Sequence, residues 1–295
     1  MKKLGLSCGD IVKRYGIDKG FEICKKNGFD AVDFALGPYK IGDAIYGGSD
    51  DAFEEHFDKI KRKAQEFEIE ISQTHGRCGT YFPDDEEHNK MIDEINKLDL
   101  RATSILGAPS CVIHFINNSR WGKQPPELLH KVCGEMFDKL IPYIEKYKVS
   151  LAMETFGGAR IKGFSIRDLF ADPTEFMRQF NRLDSQYKTI CVDTGHTHGA
   201  EIFWVPAPED IIRIFGKNVT ILHLHDNHGE TDDHLLPGMG NINWPAVFDA
   251  LDDIDYRGVY NFELALKFAG PYLEDFINFS GKYLRKFVDN HGVLK

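Results

Sequence analysis

Eight short apolar runs recur along the chain, each followed by a loop and a stretch of helical period. This recurrence constrains the fold more than any other feature. The runs are Leu4–Ser7, Ala31–Ala35, Ile69–Thr74, Ser110–Phe115, Ser150–Glu154, Thr189–Asp193, Val219–His225 and Gly258–Glu263. Their starts lie about 27 to 41 residues apart, the length of one strand-plus-helix unit. Strands alternating with helices predict a parallel sheet. The runs are often continuously apolar, as strands buried on both faces are. Eight such units in 295 residues fit a closed (β/α)8 TIM barrel better than an open sheet. No linker-like stretch interrupts them, so a single domain over 1–295 is expected.

The intervening helices carry start and stop signals. Ser49 is placed to cap a helix whose Phe53, Phe57, Ile60, Ala64 and Phe67 recur at spacings of three and four. Pro125-Pro126 opens a helix carrying Leu129, Val132, Met136, Leu140 and Ile144. Asp172-Pro173 reads as N-cap and first helical residue. Pro208 and Pro245 open two more, Gly216 closes the former, and a last helix spans about Leu273 to Val288. Two loops are long, Gly37–Ser49 and Thr155–Ala171. They follow strands two and five, so a barrel puts them at its C-terminal face, where such folds keep their sites.

What ends each strand is the chemical signal. Strand three ends in Gln73-Thr74-His75-Gly76, strand four carries His114, and strand five ends in Glu154-Thr155. Strand six ends in Asp193-Thr194-Gly195-His196, strand seven in His223-Leu224-His225-Asp226-Asn227, and strand eight in Glu263. The first two strands offer nothing comparable beyond Asp33. A lone strand histidine is more often a satisfied core or surface residue, and a lone glutamate at a strand end is usually solvated. Six successive strands each ending in His, Asp or Glu are a different matter, because a barrel brings those ends to one rim. Burying so many ionisable groups together is costly unless something pairs with them, and a divalent cation is the obvious partner. Glu154, Asp193, His223 and Glu263 supply three carboxylates and one imidazole, a set suited to Mn, Co, Mg or Zn. His225 has the same strand parity as His223 and is the alternative ligand.

Other features read more plainly. Asp84-Asp85-Glu86-Glu87 and Asp252-Asp253 are expected as helix starts and solvated surface. Trp121, Phe203, Trp204 and Trp244 are expected chiefly as packing. Arg160 and Lys162, in the long loop after strand five, could meet a phosphate or carboxylate of a substrate.

Composition excludes several classes. With 42% apolar residues and 36 aromatic ones the chain is not disordered, and no apolar run approaches the ~18 residues of a membrane span. The N-terminus turns polar too soon for a signal peptide. Six cysteines lie far apart with no CxxC, which reads as reduced thiols in a cytoplasmic protein. The net charge of −10 argues against a nucleic-acid groove, and the only dense basic run is Lys59-Ile60-Lys61-Arg62-Lys63.

These residues resemble the xylose isomerase-like barrel superfamily, which includes sugar isomerases and epimerases, inosose dehydratases and apurinic-site endonucleases of the endonuclease IV type. The resemblance spans essentially the whole chain. Its most specific parts are Cys191-Val192-Asp193-Thr194-Gly195-His196, His223-Leu224-His225-Asp226 and Gly238-Met239-Gly240-Asn241-Ile242. For ketose epimerases it implies one metal on Glu154, Asp193, His223 and Glu263, with His196 touching substrate. Two departures stand out: Arg160 replaces a glutamate six residues after the first metal glutamate, and His228-Gly229 replaces a nearby arginine. For the endonucleases the resemblance implies three zinc ions on His75, His114, Glu154, Asp193, His196, His223, Asp232, His234 and Glu263. The Asp232-Asp233-His234 stretch is the telling piece, although uncharacterised sugar-isomerase-like relatives carry it too.

The expected function is therefore a metal-dependent isomerase or epimerase of a ketose, sugar phosphate or polyol ketone. Glu154 and Glu263 would move protons about an enediolate and His196 would position a hydroxyl, with Arg160 a further substrate contact. The alternatives are an endonuclease IV-type phosphodiesterase of the second AP-endonuclease family and an inosose dehydratase-like lyase. The expected partner is a small sugar. A homo-oligomer is allowed, while nucleic acid and membrane are not expected.

Overall fold

A computed structural model describes residues 1–77, 79–115, 124–161 and 164–293, with backbone alone at 159–161 and 164–165. The strands are β1 (Leu4–Ser7), β2 (Ala31–Ala35), β3 (Glu70–His75), β4 (Ser110–Val112), β5 (Ser150–Glu154), β6 (Gly158–Ile161), β7 (Phe164–Arg167), β8 (Lys188–Asp193), β9 (Val219–His223) and β10 (Tyr260–Phe262). The helices are α1 (Gly9–Lys26), α2 (Asp50–Glu66), α3 (Glu86–Leu106), α4 (Pro126–Asp138), α5 (Ile141–Tyr147), α6 (Pro173–Arg182), α7 (Thr194–Ala200), α8 (Pro208–Phe215), α9 (Trp244–Asp253) and α10 (Leu273–Asp289).

Eight of the strands form one parallel sheet in the order β10-β1-β2-β3-β4-β5-β8-β9. The ring closes just past β9. Leu224 N donates to Asn261 O at 2.8 Å, and Glu263 N donates to Leu224 O at 3.1 Å. The expected (β/α)8 barrel is the fold, and its seam falls between His223, His225 and Glu263.

The period of two along each strand decides what enters the barrel. Val112, Ala152, Cys191 and Ile221 form a small apolar cluster of their own, with none more than 3% exposed. Two residues further along the same four chain segments stand His114, Glu154, Asp193 and His223. The polar rim therefore sits one step above an apolar plug. The alternate residues, such as Leu6, Val32, Leu222 and Phe262, belong to the large core shared with the helices. Register shifts at Val32/Asp33 and at Ile190/Cys191 lie beside this rim, a common place for bulges.

The helix signals act as read, with exceptions. Ser49 Oγ accepts from Ala52 N, and Asp172 caps α6 through Thr174 N and Glu175 N. Asp85 caps α3, but Asp252-Asp253 end α9 rather than starting a helix. The helix expected from Pro126 to beyond Ile144 breaks at Lys139-Leu140 into α4 and α5, since Pro142 cannot donate the N–H that a continuous helix would need there. The Thr155–Ala171 loop is not irregular throughout. It folds into the antiparallel pair β6–β7 and a short 3-10 turn, Leu169–Ala171. Trp204 is 96% exposed rather than packed, whereas Trp244 is buried. Cys8, Cys24, Cys111, Cys133 and Cys191 are buried free thiols. Cys78, Trp121 and Lys162 lie outside the described residues. Among the described residues no helix is long and apolar enough to cross a membrane.

Candidate metal centre and active site

His223 is the hub of the rim. It stands at the end of β9, fully buried, and its two nitrogens face different carboxylates. Nδ1 lies 2.6 Å from Glu154 Oε1 and 3.1 Å from Glu263 Oε2. Nε2 lies 3.3 Å from Asp33 Oδ2 and 2.9 Å from the Gln73 amide. Burial opposes charge on this ring, but the neighbouring Cys191 thiol and the Glu154 and Glu263 carboxylates hold its pKa well above the ordinary histidine value. Burial would likewise raise the Glu154 carboxyl, yet His223 and His114 hold it well below the usual carboxylate range.

Five overlapping groups of potential ligands follow from this arrangement, each with its donor atoms within 4.8 Å of one another; Asp33, His75 and His223 form one, Glu154, Cys191 and His223 another, and the remaining three carry most of the rim. Glu154, Asp193, His223 and Glu263 form the central one. His75, His114 and Glu154 form the second. The two rings stack with centroids 4.9 Å apart, their Nε2 atoms are 3.3 Å apart, and His114 Nε2 pairs closely with Glu154 Oε2. His196, His225, Asp232 and His234 form the third. His225 and His234 stack at 3.9 Å and 11°, and His225 Nε2 lies 3.0 Å from the Asp193 carboxylate. Asp232 Oδ2 lies 3.4 Å from His196 Nε2 and 3.2 Å from His234 Nε2. The two histidines of strand seven are thus divided between groups, His223 in the centre and His225 at the flank.

Charges within the third group are interlocked. Burial would raise Asp232, but its hydrogen bonds with His196 and His234 hold it far below the usual carboxylate range. Burial would lower His234, but Asp232 and Glu263 push it up to about 9. His196 is also held well above its ordinary value, burial notwithstanding, by Asp193 and Asp232.

The donor set fits a divalent cation. Asp33, Glu154 and Asp193 are almost fully buried, and among the described residues their ion-pair partners are histidines only. Glu263, about one-fifth exposed, also pairs with a histidine. Asp33 Oδ1 and His225 Nδ1 are buried with no hydrogen-bond partner among the described residues. A buried excess of carboxylate with unused donor atoms is what a cation site requires.

Local structure holds these groups in place. Asp193 caps α7 by accepting from His196 N at 2.6 Å, which ties the two side chains of the Asp-x-x-His segment together. Gly195 lies under the His225 ring, where any Cβ would collide with the imidazole. Asp226 is buried and accepts from Asn227 N, Gly238 N, Ile242 N and Trp244 Nε1. It thereby folds the segment that carries Asp232 and His234 back over the rim.

Two cavities open beside the rim and meet at Asp232. One, of about 270 Å3, is lined by Phe156, His196, Ile202, Phe203 and several glycines. The other, of about 560 Å3, has Asp33, His75, His234 and Glu263 in its lining, with Lys13, Lys267 and Phe268.

Of the residues singled out in the sequence, His75, His114, Glu154, Asp193, His196, His223, His225, Asp232, His234 and Glu263 are all brought to this one rim. The Arg160 side chain lies outside the described residues. Asp33 and Gln73 are deeper in the site than the sequence reading placed them, and strand parity could have found Asp33, two residues beyond the inward Ala31. Phe156 and Asp226 had no assigned role. Only their positions beside Glu154 and His225 hinted at one.

The geometry matches known folds across their full length. A D-tagatose 3-epimerase-like protein superposes with a TM-score of 0.71 at 19% identity, covering 98% of each chain. The 3-keto-D-glucoside 4-epimerase YcjR of E. coli gives 0.70 at 15%, covering 97% of this chain and 99% of that one. The IOLI protein, in a structure with a bound zinc atom, gives 0.72 at 18%, covering 99% and 98%. In sequence, the uncharacterised protein y4fM of Sinorhizobium fredii is 31% identical over 170 residues, 57% of this chain and 50% of that protein. The match thus spans about half the length of that relative. The uncharacterised protein ML2432 of Mycobacterium leprae is 23% identical over 272 residues, 87% and 86% of the two chains. Residues 21–270 match the family model of the xylose isomerase-like TIM barrel, and the chain belongs to that family.

Proposed function

We propose that the chain is a divalent-metal-dependent isomerase or epimerase acting on a ketose, a sugar phosphate or a related polyol ketone. The observation that carries this reading is the convergence of Glu154 and Glu263 on one nitrogen of His223, with Asp193 in the same group. The epimerase and IOLI structures of the same fold support it. Glu154, Asp193, His223 and Glu263 would hold the ion. A divalent cation in that position supplies electrostatic stabilisation for the charge that develops on an enediolate.

The protein's own groups divide the proton transfers. Glu263 is partly exposed and lines the larger cavity, so its carboxylate reaches substrate directly. Glu154 is buried between His223 and His114, which keep it ionised. One removes the proton next to the carbonyl. The other, protonated beforehand from solvent, returns its proton on the opposite face for an epimerase, leaving the pair with its total proton count unchanged. His196, fixed by Asp193 and by Thr155 O at 3.0 Å, orients a hydroxyl. A lyase would share the first step and then lose a β-hydroxyl.

The test is turnover in deuterium oxide by protein loaded with Mn, Co, Mg or Zn, on a panel of ketoses and their phosphates. About one solvent deuteron per product molecule at the carbon next to the carbonyl is expected. No exchange with any ketose under any of the four metals removes this reading. A second reading, a phosphodiesterase using up to three ions, is favoured by the two flanking groups and opposed by the net charge of −10. Nanomolar, salt-sensitive binding to an abasic duplex would put it first.

A further inference from the structure

Asp33 is a buried carboxylate that the proton transfers do not use. It stands in the middle of β2, 1% exposed, and its side chain accepts from one hydroxyl, Ser7 Oγ at 3.1 Å. Its other close partners are two imidazoles. Asp33 Oδ2 lies 3.3 Å from His223 Nε2 and 3.5 Å from His75 Nδ1. Among the described residues no backbone N–H, lysine or arginine meets this carboxylate, and Oδ1 has no hydrogen-bond partner. Asp226 shows the contrast, since a carboxylate buried to hold the chain accepts three backbone N–H groups. Burying Asp33 costs desolvation and organises no backbone, so its value lies in what it does to the two rings.

The sheet is arranged to deliver this carboxylate. Ser7, Asp33 and Gln73 are register partners across β1, β2 and β3, so their side chains share one face. The register shift after Val32 skips Ser72 of β3 and puts Gln73 opposite Asp33. The Gln73 amide then reaches the same His223 nitrogen, 2.9 Å from Nε2. Asn261 of β10 extends the row by donating to Ser7 Oγ at 3.3 Å. Gly5 makes room for that amide, since a Cβ there would lie 2.8 Å from Asn261 Oδ1. β1 and β2 carry no ligand of the central group, and they supply instead the support for one.

A neutral imidazole carries one N–H, and the nitrogen that keeps it cannot bind an ion. Nδ1 of His223 faces Glu154 and Glu263, two carboxylates of the central group. Ligation through Nδ1 therefore puts the proton on Nε2, and Asp33 Oδ2 is the carboxylate that stands there. The Gln73 amide meets the same proton through its oxygen once flipped. We propose that Asp33 is a positioning residue of the metal centre, holding the His223 ring with a bare Nδ1 toward the ion and anchoring His75 on the same oxygen. The inference rests on the metal-dependent reading and deepens it. Asp33 acts on the ion only through His223.

The experiment is titration of the metal-free full chain with Mn, read by the electron paramagnetic resonance of the free ion, for wild type, Asp33→Leu and Asp33→Asn. Leucine fills the volume and accepts nothing, whereas asparagine keeps an acceptor oxygen. Asp33→Leu is expected to raise the Mn Kd roughly 10- to 100-fold, the usual cost of losing an outer partner of a ligand, and Asp33→Asn to recover most of that loss. Ser7→Ala removes the hydroxyl that holds Asp33 and should raise Kd roughly three- to tenfold, the worth of one hydrogen bond, so the test survives an Asp33→Leu that does not fold. The 15N shifts of the histidine rings in Zn-loaded wild type should show His223 bound through Nδ1 with its proton on Nε2. Ligation through Nε2 would place the ion in the Asp33–His75–His223 group, make Asp33 a ligand and overturn the inference. A metal-free Tm that falls in step with the Mn affinity across the variants would make Asp33 structural and overturn it too. Mn binding by wild type that none of the variants weakens ends the inference alone. No Mn binding by wild type ends it together with the metal-dependent reading.

Discussion

Glu154 Oε1 lies 2.6 Å from His223 Nδ1, and this pair ties β5 to β9 across the top of the barrel. The same carboxylate meets His114 through its other oxygen. Glu154 is therefore the group shared between the central and the second ligand sets, and the acid–base role proposed for it is open to test. Glu154→Gln removes the charge and preserves the shape, and we expect turnover to fall by roughly 10²- to 10⁴-fold, the usual range for a positioned acid or base. Glu263→Gln is expected to do the same. Circular dichroism should show both variants folded. Wild-type turnover in either one would end the two-carboxylate mechanism.

Asp226 makes a separate prediction because its carboxylate bonds to no proposed ligand side chain. Its carboxylate accepts three backbone N–H groups and the Trp244 indole, all within 3.2 Å. Asp226→Ala would strand several buried donors, each costing about 1–3 kcal/mol. A loss of roughly 3 kcal/mol or more is expected, with Tm down on the order of 5–10 °C. The segment bearing Asp232 and His234 should loosen with it, so the variant should also bind divalent ions more weakly than wild type. Calorimetry of unfolding and of metal binding checks the two effects together. An unchanged metal affinity would show that Asp226 serves stability alone.

Much of the fold was legible in the sequence because each strand is short, apolar and followed by a polar end. The rim histidines and carboxylates were legible for the same reason: His114, Glu154, Asp193 and His223 each stand two residues beyond an inward apolar residue, and period two is a strict rule. The break between α4 and α5 was hidden because Leu140 and Ile144 continue the apolar spacing across it. The β6–β7 pair was hidden because two strands of four residues each give too little alternation to register. Asp226 was hidden because its partners, Gly238, Ile242 and Trp244, are brought to it by chain reversal rather than by sequence spacing.

Asp99 on α3, behind the His75–Arg77 segment and outside the ligand groups, gives the protein a further pH dependence. It is fully buried and accepts from Tyr46 Oη at 2.6 Å and Arg77 N at 3.2 Å. Burial outweighs those bonds and raises its carboxyl from 3.8 to about 6. The native state therefore holds this proton more tightly than the unfolded chain does. Its contribution to stability is complete below about pH 4 and is lost as pH rises through 6, a change of about 3 kcal/mol. Asp99→Asn cannot titrate. Stability curves of wild type and variant, measured between pH 4 and 7.5, should differ by a sloping term that flattens above pH 6.5. Parallel curves would mean that Asp99 keeps an ordinary pKa.

Metal content separates the two functional readings most directly. The central group could hold one ion, and the groups around His75–His114 and around His196–Asp232–His234 two more. We expect protein purified without chelator or affinity metal to carry at least one divalent ion per chain. Chelation should then lower Tm, since ligand at 100 times its Kd stabilises the folded state by about 2.7 kcal/mol. His223→Ala should abolish occupancy of the central site. About one ion per chain, with loss of turnover on chelation, favours the isomerase. Two or three zinc ions per chain, reduced by one in His234→Ala, would mean that the flanking histidines are ligands, and phosphodiester cleavage would become the first activity to assay. No ion at all, after dialysis against each of Mn, Co, Mg and Zn, would leave the buried carboxylates balanced by protonated histidines alone and remove the metal from both readings.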